Sequence, residues 1–157
     1  MQELTLKSVI KVAQPSELPL QEQQLVEAAI EATNHSYSPY SNFSVGAALL
    51  LANGEMVTGC NQENAAFPAG LCAERTAIFA AGARFPNEAV TTIAIAARTG
   101  NGELTEEPVT PCGTCRQVMI ETEKRFNHPI RILLYGRKAV YIIEGISQLM
   151  PLSFTDF

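Results

Sequence analysis

The sequence lacks the segments that mark several large classes of protein. No run of apolar residues is long enough to cross a bilayer, which argues against a membrane-spanning helix. The N-terminus has no basic region followed by an apolar core, so we expect no secretory signal. No basic run is present and the formal net charge is −5, which disfavours a nucleic-acid surface. We therefore expect a cytoplasmic protein that binds neither membrane nor nucleic acid.

The chain also lacks an internal repeat and a low-complexity linker. Its 157 residues are enough to bury one core, and we expect a single domain over 1–157. Residues 1–19 are an N-terminal extension in which alternation over 4–12 predicts a short edge strand or packing arm, ended by Pro15. Four cysteines without a secretory signal favour metal or redox chemistry over disulfides.

Periodicity and turn signals predict the order of the secondary structure. Asn53-Gly54 is typical of a tight hairpin turn between two strands. Thr110 and Pro111 are typical of a helix start, as a hydroxyl cap and a proline at the first helical position. The predicted helices cover 20–34, 72–83, 110–126 and 146–149, and the predicted strands cover 43–51, 55–61, 90–98, 130–135 and 139–143. This order predicts an α/β fold, in which a mixed sheet has helices on both faces.

Three cysteines lie at two predicted helix starts. Cys112 and Cys115 are three residues apart, so their side chains share one helix face. Cys72 starts another helix, and a helix N-terminus favours the thiolate form that binds metal. Zinc held by three protein ligands keeps a fourth position for water, as in catalytic sites. Spacing alone leaves two alternatives open: Cys60 could complete a closed structural zinc site, or Cys112 and Cys115 could form a redox pair.

Glu74 is the candidate acid–base group beside Cys72. Side chains two residues apart within a helix point in different directions, so spacing does not place Glu74 at the open side of a metal. Arg75, next to Glu74, and Arg116, next to Cys115, could donate hydrogen bonds to the sulfurs. Such bonds would reduce the net negative charge that three thiolates place on Zn²⁺. From the residues alone, a catalytic and a structural site remain open.

The stretches around the cysteines resemble a known family. Cys-Ala-Glu-Arg-Thr-Ala over 72–77 and Pro-Cys-Gly-Thr-Cys-Arg-Gln over 111–117 are similar to the zinc-dependent cytidine deaminases, in their small, three-cysteine form. The stretches over 39–49 and 59–66 are also similar, and the resemblance covers about 39–154. It implies a three-layer α/β/α sandwich with a mixed five-stranded sheet, and an active homotetramer whose sites are completed by neighbouring subunits.

The resemblance implies a reaction and a role for each residue near the cysteines. Cys72, Cys112 and Cys115 would hold one Zn²⁺ per subunit. Zinc-bound hydroxide would attack C4 of cytidine or deoxycytidine, giving uridine or deoxyuridine and ammonia, a reaction of pyrimidine salvage. Glu74 would carry the proton to N3 of the ring and then to the departing ammonia. Arg75 would tune the charge of the thiolates, and Arg116 is a second candidate for that role.

The resemblance also implies six substrate-binding residues: a pair on the ribose 3′-hydroxyl, one phenylalanine beside the pyrimidine, and three residues supplied by neighbouring subunits. In that order they are Asn61 and Glu63, Phe43, and Ala65, Phe67 and Phe154. Phe67 departs from the family, since many members carry tyrosine at this position.

Two other functions compete with this interpretation. One is a zinc-stabilised module without activity, which would use the cysteines but not Glu74. The other is a deaminase for a different cytosine-containing nucleoside, such as an aminoacyl-nucleoside antibiotic. Asn61, Glu63 and Phe154 favour plain cytidine and deoxycytidine over that substrate.

Overall fold

The computed structural model describes residues 1–155, in which strands and helices alternate. The strands are β1 (Lys11–Ala13), β2 (Ser44–Leu51), β3 (Met56–Cys60), β4 (Val90–Arg98), β5 (Arg131–Tyr135) and β6 (Val140–Glu144). The helices are α1 (Leu20–Ala32), α2 (Ala73–Arg84) and α3 (Gly113–Phe126). Short 3-10 turns lie at Pro15–Glu17, Thr33–His35, Phe67–Ala69 and Ile146–Gln148, the last of them within the predicted brief helix.

The strands form one mixed sheet in the order β1-β6-β5-β4-β2-β3. Neighbouring strands are antiparallel except β4 and β5, which run parallel and are connected through α3. A parallel pair needs such a crossover, whereas antiparallel neighbours can be joined by a short turn. The predicted α/β class and mixed sheet are confirmed. The sheet has six strands rather than five, because β1 pairs with β6 at the edge.

The N-terminal extension contributes less strand than the alternation over 4–12 predicts. Only Lys11–Ala13 pairs with β6. Before that point, the backbone N–H of Val9 donates a hydrogen bond to Oε1 of Gln148 at 2.8 Å instead of joining the ladder. The extension therefore contributes an edge strand of three residues, preceded by an exposed arm without regular secondary structure.

The two faces of the sheet are covered by different helices. In β4, Ile93 and Ile95 pack in the cluster that includes α2 and α3, whereas Ala94 and Ala96 pack in the cluster that includes α1. Apolar residues on both phases of a strand bury both of its faces, as the sequence of β4 predicts. The result is three layers, with the central sheet between α1 and the α2–α3 pair. None of the helices in the described residues is long and apolar enough to cross a membrane.

Two glycines shape the part of the sheet that faces α2: one forms the β2–β3 turn, and the other allows α2 to approach β3. Gly54, at φ +87°, forms the turn of the predicted hairpin, and β2 and β3 pair antiparallel on either side of it. Gly59 faces α2: a Cβ there would lie 2.5 Å from the backbone nitrogen of Ala77 and 2.8 Å from the carbonyl oxygen of Ala73. Only a residue without a side chain permits this approach, which sets where the N-terminus of α2 lies.

The start of α3 differs from the prediction. Thr110 and Pro111 are not the cap and first residue; α3 begins at Gly113, with Cys112 as the N-cap residue in extended conformation. The sulfur of Cys112 accepts the backbone N–H of Cys115 at 3.5 Å, which is the contact that a cap hydroxyl usually makes. The thiol, rather than the threonine hydroxyl, therefore occupies the cap of this helix.

Candidate active site

Two helix N-termini meet at a cluster of three thiols. Cys72 is the N-cap residue of α2, as Cys112 is of α3, and Cys115 lies in the first turn of α3. The sulfurs of Cys72 and Cys112 are 3.8 Å apart, and all three sulfurs lie within 4.8 Å of one another. Both helix dipoles place their positive ends at the cluster, which favours thiolates.

The spacing of the sulfurs fits a zinc ion. Tetrahedral coordination with Zn–S bonds of about 2.3 Å requires sulfurs roughly 3.8 Å apart, which matches the observed Cys72–Cys112 distance of 3.8 Å. All four cysteines are free thiols. Cys60 is not a fourth member of the cluster, since its thiol lies 3.1 Å from the backbone oxygen of His35, to which it donates. The described residues thus provide three thiol ligands and not a closed four-thiol site.

Two thiols of the cluster have pKa values shifted in opposite directions. The Cys115 thiol donates a hydrogen bond to Cys72, and this is the main cause that lowers the pKa of Cys72 to about 5. Arg75 and Cys112 lower it further, and the three together outweigh burial, which raises it. Donation to Cys72 and burial raise the pKa of Cys115. In the metal-free cluster Cys72 is the more acidic and Cys115 the less acidic thiol, and zinc held by all three sulfurs would displace their remaining protons.

Glu74 lies against the thiol cluster. It is only 4% exposed, and burial raises the pKa of its carboxyl, with a further increase from the charge on Cys72. Its own backbone N–H donates a hydrogen bond to the carboxylate and opposes that increase, as do the neighbouring Cys115 thiol and the charge of Arg75. Cys72, with ψ of 158°, lies outside the helix, so the helical spacing rule does not separate its side chain from that of Glu74. The result is a buried carboxyl of raised pKa next to a thiol that could hold a metal ion.

The two arginines differ in what they contact. Nη2 of Arg75 lies 3.7 Å from the sulfur of Cys72 and 3.5 Å from the backbone oxygen of Gly70, while its buried Nε has no hydrogen-bond partner. Arg116 instead donates from Nε to the carbonyl of Pro111 at 2.9 Å and from Nη1 to that of Leu149 at 2.6 Å. Within the described residues, a hydrogen bond to sulfur is made by Arg75 and not by Arg116.

A pocket of about 460 Å³ opens beside the cluster and contains three of the six predicted substrate-binding residues. Asn61 and Glu63 line it together with Cys72 and Arg75. Phe67 also lines this pocket of its own chain, whereas the resemblance implies that it approaches the substrate of a neighbouring subunit. Phe43, Ala65 and Phe154 do not line the pocket of the single chain. Phe67 is 79% exposed and Phe154 is 64% exposed, so both present most of their aromatic surface outside the core of this chain.

The polar groups of Asn61 and Glu63 are held by the backbone around the pocket. Oδ1 of Asn61 accepts the N–H of Val45 at 2.8 Å, and its Nδ2 donates to the carbonyl of Phe43 at 2.9 Å. Glu63 accepts the hydroxyl of Ser41 and, at 2.8 Å, the N–H of Tyr40. These donors, that of Ser41 first, lower the pKa of Glu63, which stays ionised at the pocket wall.

Tyr40 and Ser41 are among the pocket residues to which the sequence did not assign a role. Both line the pocket, and the ring of Tyr40 meets that of Phe67 edge-to-face with centroids 6.3 Å apart. The available signal was their position in the polar loop before β2, within one of the stretches on which the resemblance rests. Their packing against Glu63 and Phe67 needs contacts across more than twenty residues, which no local pattern reveals.

Comparison with known proteins agrees with this site. The family described as "Cytidine and deoxycytidylate deaminase zinc-binding region" matches residues 19–127. The cytidine deaminase of Sporosarcina psychrophila is 43% identical over 133 residues, which cover 85% of this chain and 90% of that protein. That of Halalkalibacterium halodurans is 46% identical over 99 residues, covering 63% of this chain and 70% of that protein.

Solved structures give the same result for the fold. The crystal structure of cytidine deaminase from Burkholderia pseudomallei superposes with a TM-score of 0.71 at 39% identity, covering 83% of this chain and 97% of that one. The cytidine deaminase from Mycobacterium leprae superposes with a TM-score of 0.63 at 33% identity, covering 85% and 99%. The three thiols have the spacing that zinc requires, and the sequence and structure are similar to those of known deaminases. The chain therefore belongs to the zinc-binding family of cytidine and deoxycytidylate deaminases.

Proposed function

We propose that this chain catalyses the hydrolytic deamination of cytidine and deoxycytidine to uridine and deoxyuridine, with release of ammonia. The observation that carries the proposal is the buried carboxyl of Glu74 against a three-thiol zinc site that opens into a nucleoside-sized pocket. A structural zinc site needs no such carboxyl, because burying it without a chemical task costs stability. Family membership supports the same reaction.

Cys72, Cys112 and Cys115 would hold the zinc as thiolates. Bound there, zinc supplies the Lewis acidity that makes water a nucleophile near neutral pH. Glu74, as a carboxylate, accepts a proton from the attacking water, because its raised pKa makes it a stronger base than an exposed carboxylate. It would deliver that proton to N3 of the cytosine ring as the water oxygen bonds to C4. It would then take the remaining proton from that oxygen and give it to the amino group, so that the C4–N bond breaks and ammonia leaves. One water is consumed, and the ring carbonyl and ammonia are the products.

Arg75 acts on the charge of the site. Its contact with the sulfur of Cys72 draws negative charge from the thiolate. We assign this role to Arg75 alone, because the guanidinium of Arg116 is engaged by two backbone carbonyls.

The nucleoside would be bound by residues of the pocket and of its surroundings. Asn61 and Glu63 bind the 3′-hydroxyl of the ribose, for which the fixed, ionised carboxylate of Glu63 is a strong acceptor. Phe43 does not line the pocket of the single chain, but its carbonyl accepts a hydrogen bond from the pocket residue Asn61, and in the complex its ring would lie beside the pyrimidine. In this arrangement Asn61 acts through its second amide hydrogen, since the first is used on Phe43.

The active form would be a homotetramer in which neighbours complete each site. Ala65, Phe67 and Phe154 are exposed in the single chain, so contact with a neighbouring subunit would bury two aromatic rings. Light scattering of the zinc-loaded protein should give a mass of four chains, and Phe154→Ala should raise KM more than it lowers kcat. A monomer with full activity would contradict this part of the proposal. We further propose a cytoplasmic location, where the four thiols stay reduced.

The substrate is tested by incubating the zinc-loaded protein with cytidine, deoxycytidine, cytidine 5′-monophosphate and a cytosine nucleoside with an aminoacylated sugar. We expect conversion of the first two, detected as uridine or deoxyuridine by chromatography and as ammonia in equal amount. Loss of the 3′-hydroxyl, in a 3′-deoxy substrate, should reduce kcat/KM in the wild type but much less in Glu63→Gln. Conversion of the aminoacylated nucleoside alone would show that the substrate is wrongly assigned.

A further inference from the structure

We propose that a second pocket, separate from the active site, binds a phosphate group. This hydroxyl pocket has a volume of about 290 Å³ and is lined by Thr33, Ser36, Ser38, Ser44, Arg98 and neighbouring residues of the turn that follows β4. Among its lining residues one is a cation and none is an acid, in a chain that has 16 acidic and 11 basic residues. The hydroxyl pocket is thus a local site of positive charge on an acidic protein.

Arg98 is held in a fixed orientation at this pocket. Its Nε donates to Oγ1 of Thr33 at 2.7 Å, and its Nη1 donates to the backbone oxygen of Gly102 at 3.0 Å. The hydroxyl of Thr33 donates to the carbonyl of Ile30 at 2.6 Å, so toward Arg98 it can only accept. A guanidinium has five N–H groups, and the remaining donors of Arg98, including both on Nη2, have no acceptor among the described residues. No carboxylate in that part of the chain forms an ion pair with Arg98.

Three serine hydroxyls lie close together in the same pocket. Ser44 is the direct cross-strand partner of Arg98 in the β2–β4 ladder, so the two side chains lie next to each other on one face of the sheet. The hydroxyl of Ser36 donates to that of Ser44 at 2.6 Å, and the hydroxyl of Ser38 lies 3.4 Å from both. Hydroxyls can rotate, so the cluster can present O–H donors to a ligand beside Arg98.

A guanidinium with free donors next to several hydroxyls is the donor set that suits a phosphate. Phosphate oxygens accept bidentate hydrogen bonds from arginine, and further oxygens can accept from the serines. The volume of about 290 Å³ holds such a group together with water molecules. The same chemistry is offered by inorganic phosphate and by the phosphate of a nucleotide, and an experiment must distinguish these two sources.

Binding here would restrain the loop that forms one wall of the active-site pocket. Ser36, Ser38 and Asn42 line the hydroxyl pocket, whereas Tyr40 and Ser41 of the same loop line the active-site pocket. A phosphate that bridges Arg98 and the serines would hold the loop from the side of the hydroxyl pocket. Binding itself can be measured without any assay of deamination, so this inference stands or falls separately from the proposed function.

The test is calorimetric titration of the zinc-loaded protein with inorganic phosphate and, separately, with cytidine 5′-monophosphate, at ionic strength held constant with chloride. We expect saturable binding of one phosphate group per chain, a rise in melting temperature that follows the binding curve, and loss of both in Arg98→Met. If cytidine 5′-monophosphate binds more tightly than inorganic phosphate, and Arg98→Met loses this binding, the ligand is a nucleotide. If the two bind with equal affinity, the ligand is inorganic phosphate.

Two further variants keep the test decisive. Arg98→Met also loses the bonds to Thr33 and Gly102, so Ser38→Ala, which leaves those bonds intact, should fold normally and bind phosphate about tenfold more weakly. Arg84→Met removes the same charge from the exposed end of α2 and should bind as the wild type does. The proposal is overturned by the absence of saturable binding to the wild type, by unchanged binding in Arg98→Met, or by an equal loss in Arg84→Met.

Discussion

Substitution of Gly59 tests how the sheet positions the zinc-binding helix. In Gly59→Ala, the new Cβ would lie 2.5 Å from the backbone nitrogen of Ala77, whereas ordinary contact begins at 3.4 Å. The atoms that it meets are backbone atoms of α2, which cannot rotate away as a side chain can. The helix must therefore shift by close to 1 Å, and overpacking of this kind costs about 1–3 kcal/mol.

This shift should affect both stability and the site, because Cys72 and Glu74 lie at the start of the displaced helix. We expect the melting temperature to fall by about 2–12 °C, given about 2–4 °C for each kcal/mol in a chain of this size. A displacement of about 1 Å can lower turnover by roughly 100-fold even in the folded fraction. Thermal unfolding, zinc content and kcat are measured on the same preparation.

The matched control is Gly82→Ala on the same helix. No atom lies within 4 Å of a Cβ at Gly82, so the substitution meets no obstacle and adds a better helix former. It should stabilise the protein by about 0.5–1 kcal/mol and leave turnover unchanged. If Gly59→Ala unfolds at the temperature of the wild type with full zinc and activity, the reasoning about helix–sheet approach is wrong.

Four other perturbations have defined outcomes. Cys72→Ser should bind zinc at least about 100-fold more weakly by metal analysis, while Cys60→Ser keeps a full complement because Cys60 is outside the cluster. In metal-free protein, thiolate absorbance should rise near pH 5 in the wild type but not in Cys72→Ser. The depressed pKa of Cys72 stabilises the fold above the unfolded value of 9.0, and this contribution is lost as the pH falls through about 5; the raised pKa of Cys115 acts in the opposite sense, with stability below 9.0 that is lost as the pH rises further. The raised pKa of Glu74 contributes stability below 4.5 that is lost as the pH rises through the folded value, so metal-free Glu74→Gln should gain stability over the wild type with increasing pH in urea unfolding. Arg131→Met should lower the free energy of unfolding by about 1–2 kcal/mol, since Arg131 joins Glu22 and Glu144, whereas Lys138→Met at an exposed pair should cause no measurable change.

Local patterns predicted the parts of the fold that depend on neighbouring residues in the sequence. The Asn53-Gly54 turn and the two apolar phases of β4 needed no distant partner to be recognised. The predicted start of α3 is wrong. Thr110 and Pro111 satisfy the usual rule for a helix cap, but the sulfur of Cys112 caps the helix. The rule does not include cysteine among the preferred caps.

The parts of the site that the sequence left open depend on backbone conformation and distant contacts. The orientation of Glu74 could not be predicted, because the helical spacing rule assumes that Cys72 is helical, and it is extended. Arg116 is adjacent to Cys115, but its guanidinium reaches the carbonyl of Leu149, 33 residues away. A long side chain selects its partner in three dimensions, so adjacency in sequence is weak evidence for contact.

The most direct test of the account is a comparison of zinc-loaded wild type with Glu74→Gln, with cytidine as substrate. Zinc content is measured by metal analysis, and uridine and ammonia are measured separately. We predict uridine and ammonia in equal amounts from the wild type. In Glu74→Gln, with its zinc retained, we predict a rate that is lower by about 100- to 10,000-fold. Cytidine left unchanged by the zinc-loaded wild type, or converted at the same rate by zinc-loaded Glu74→Gln, would contradict the account.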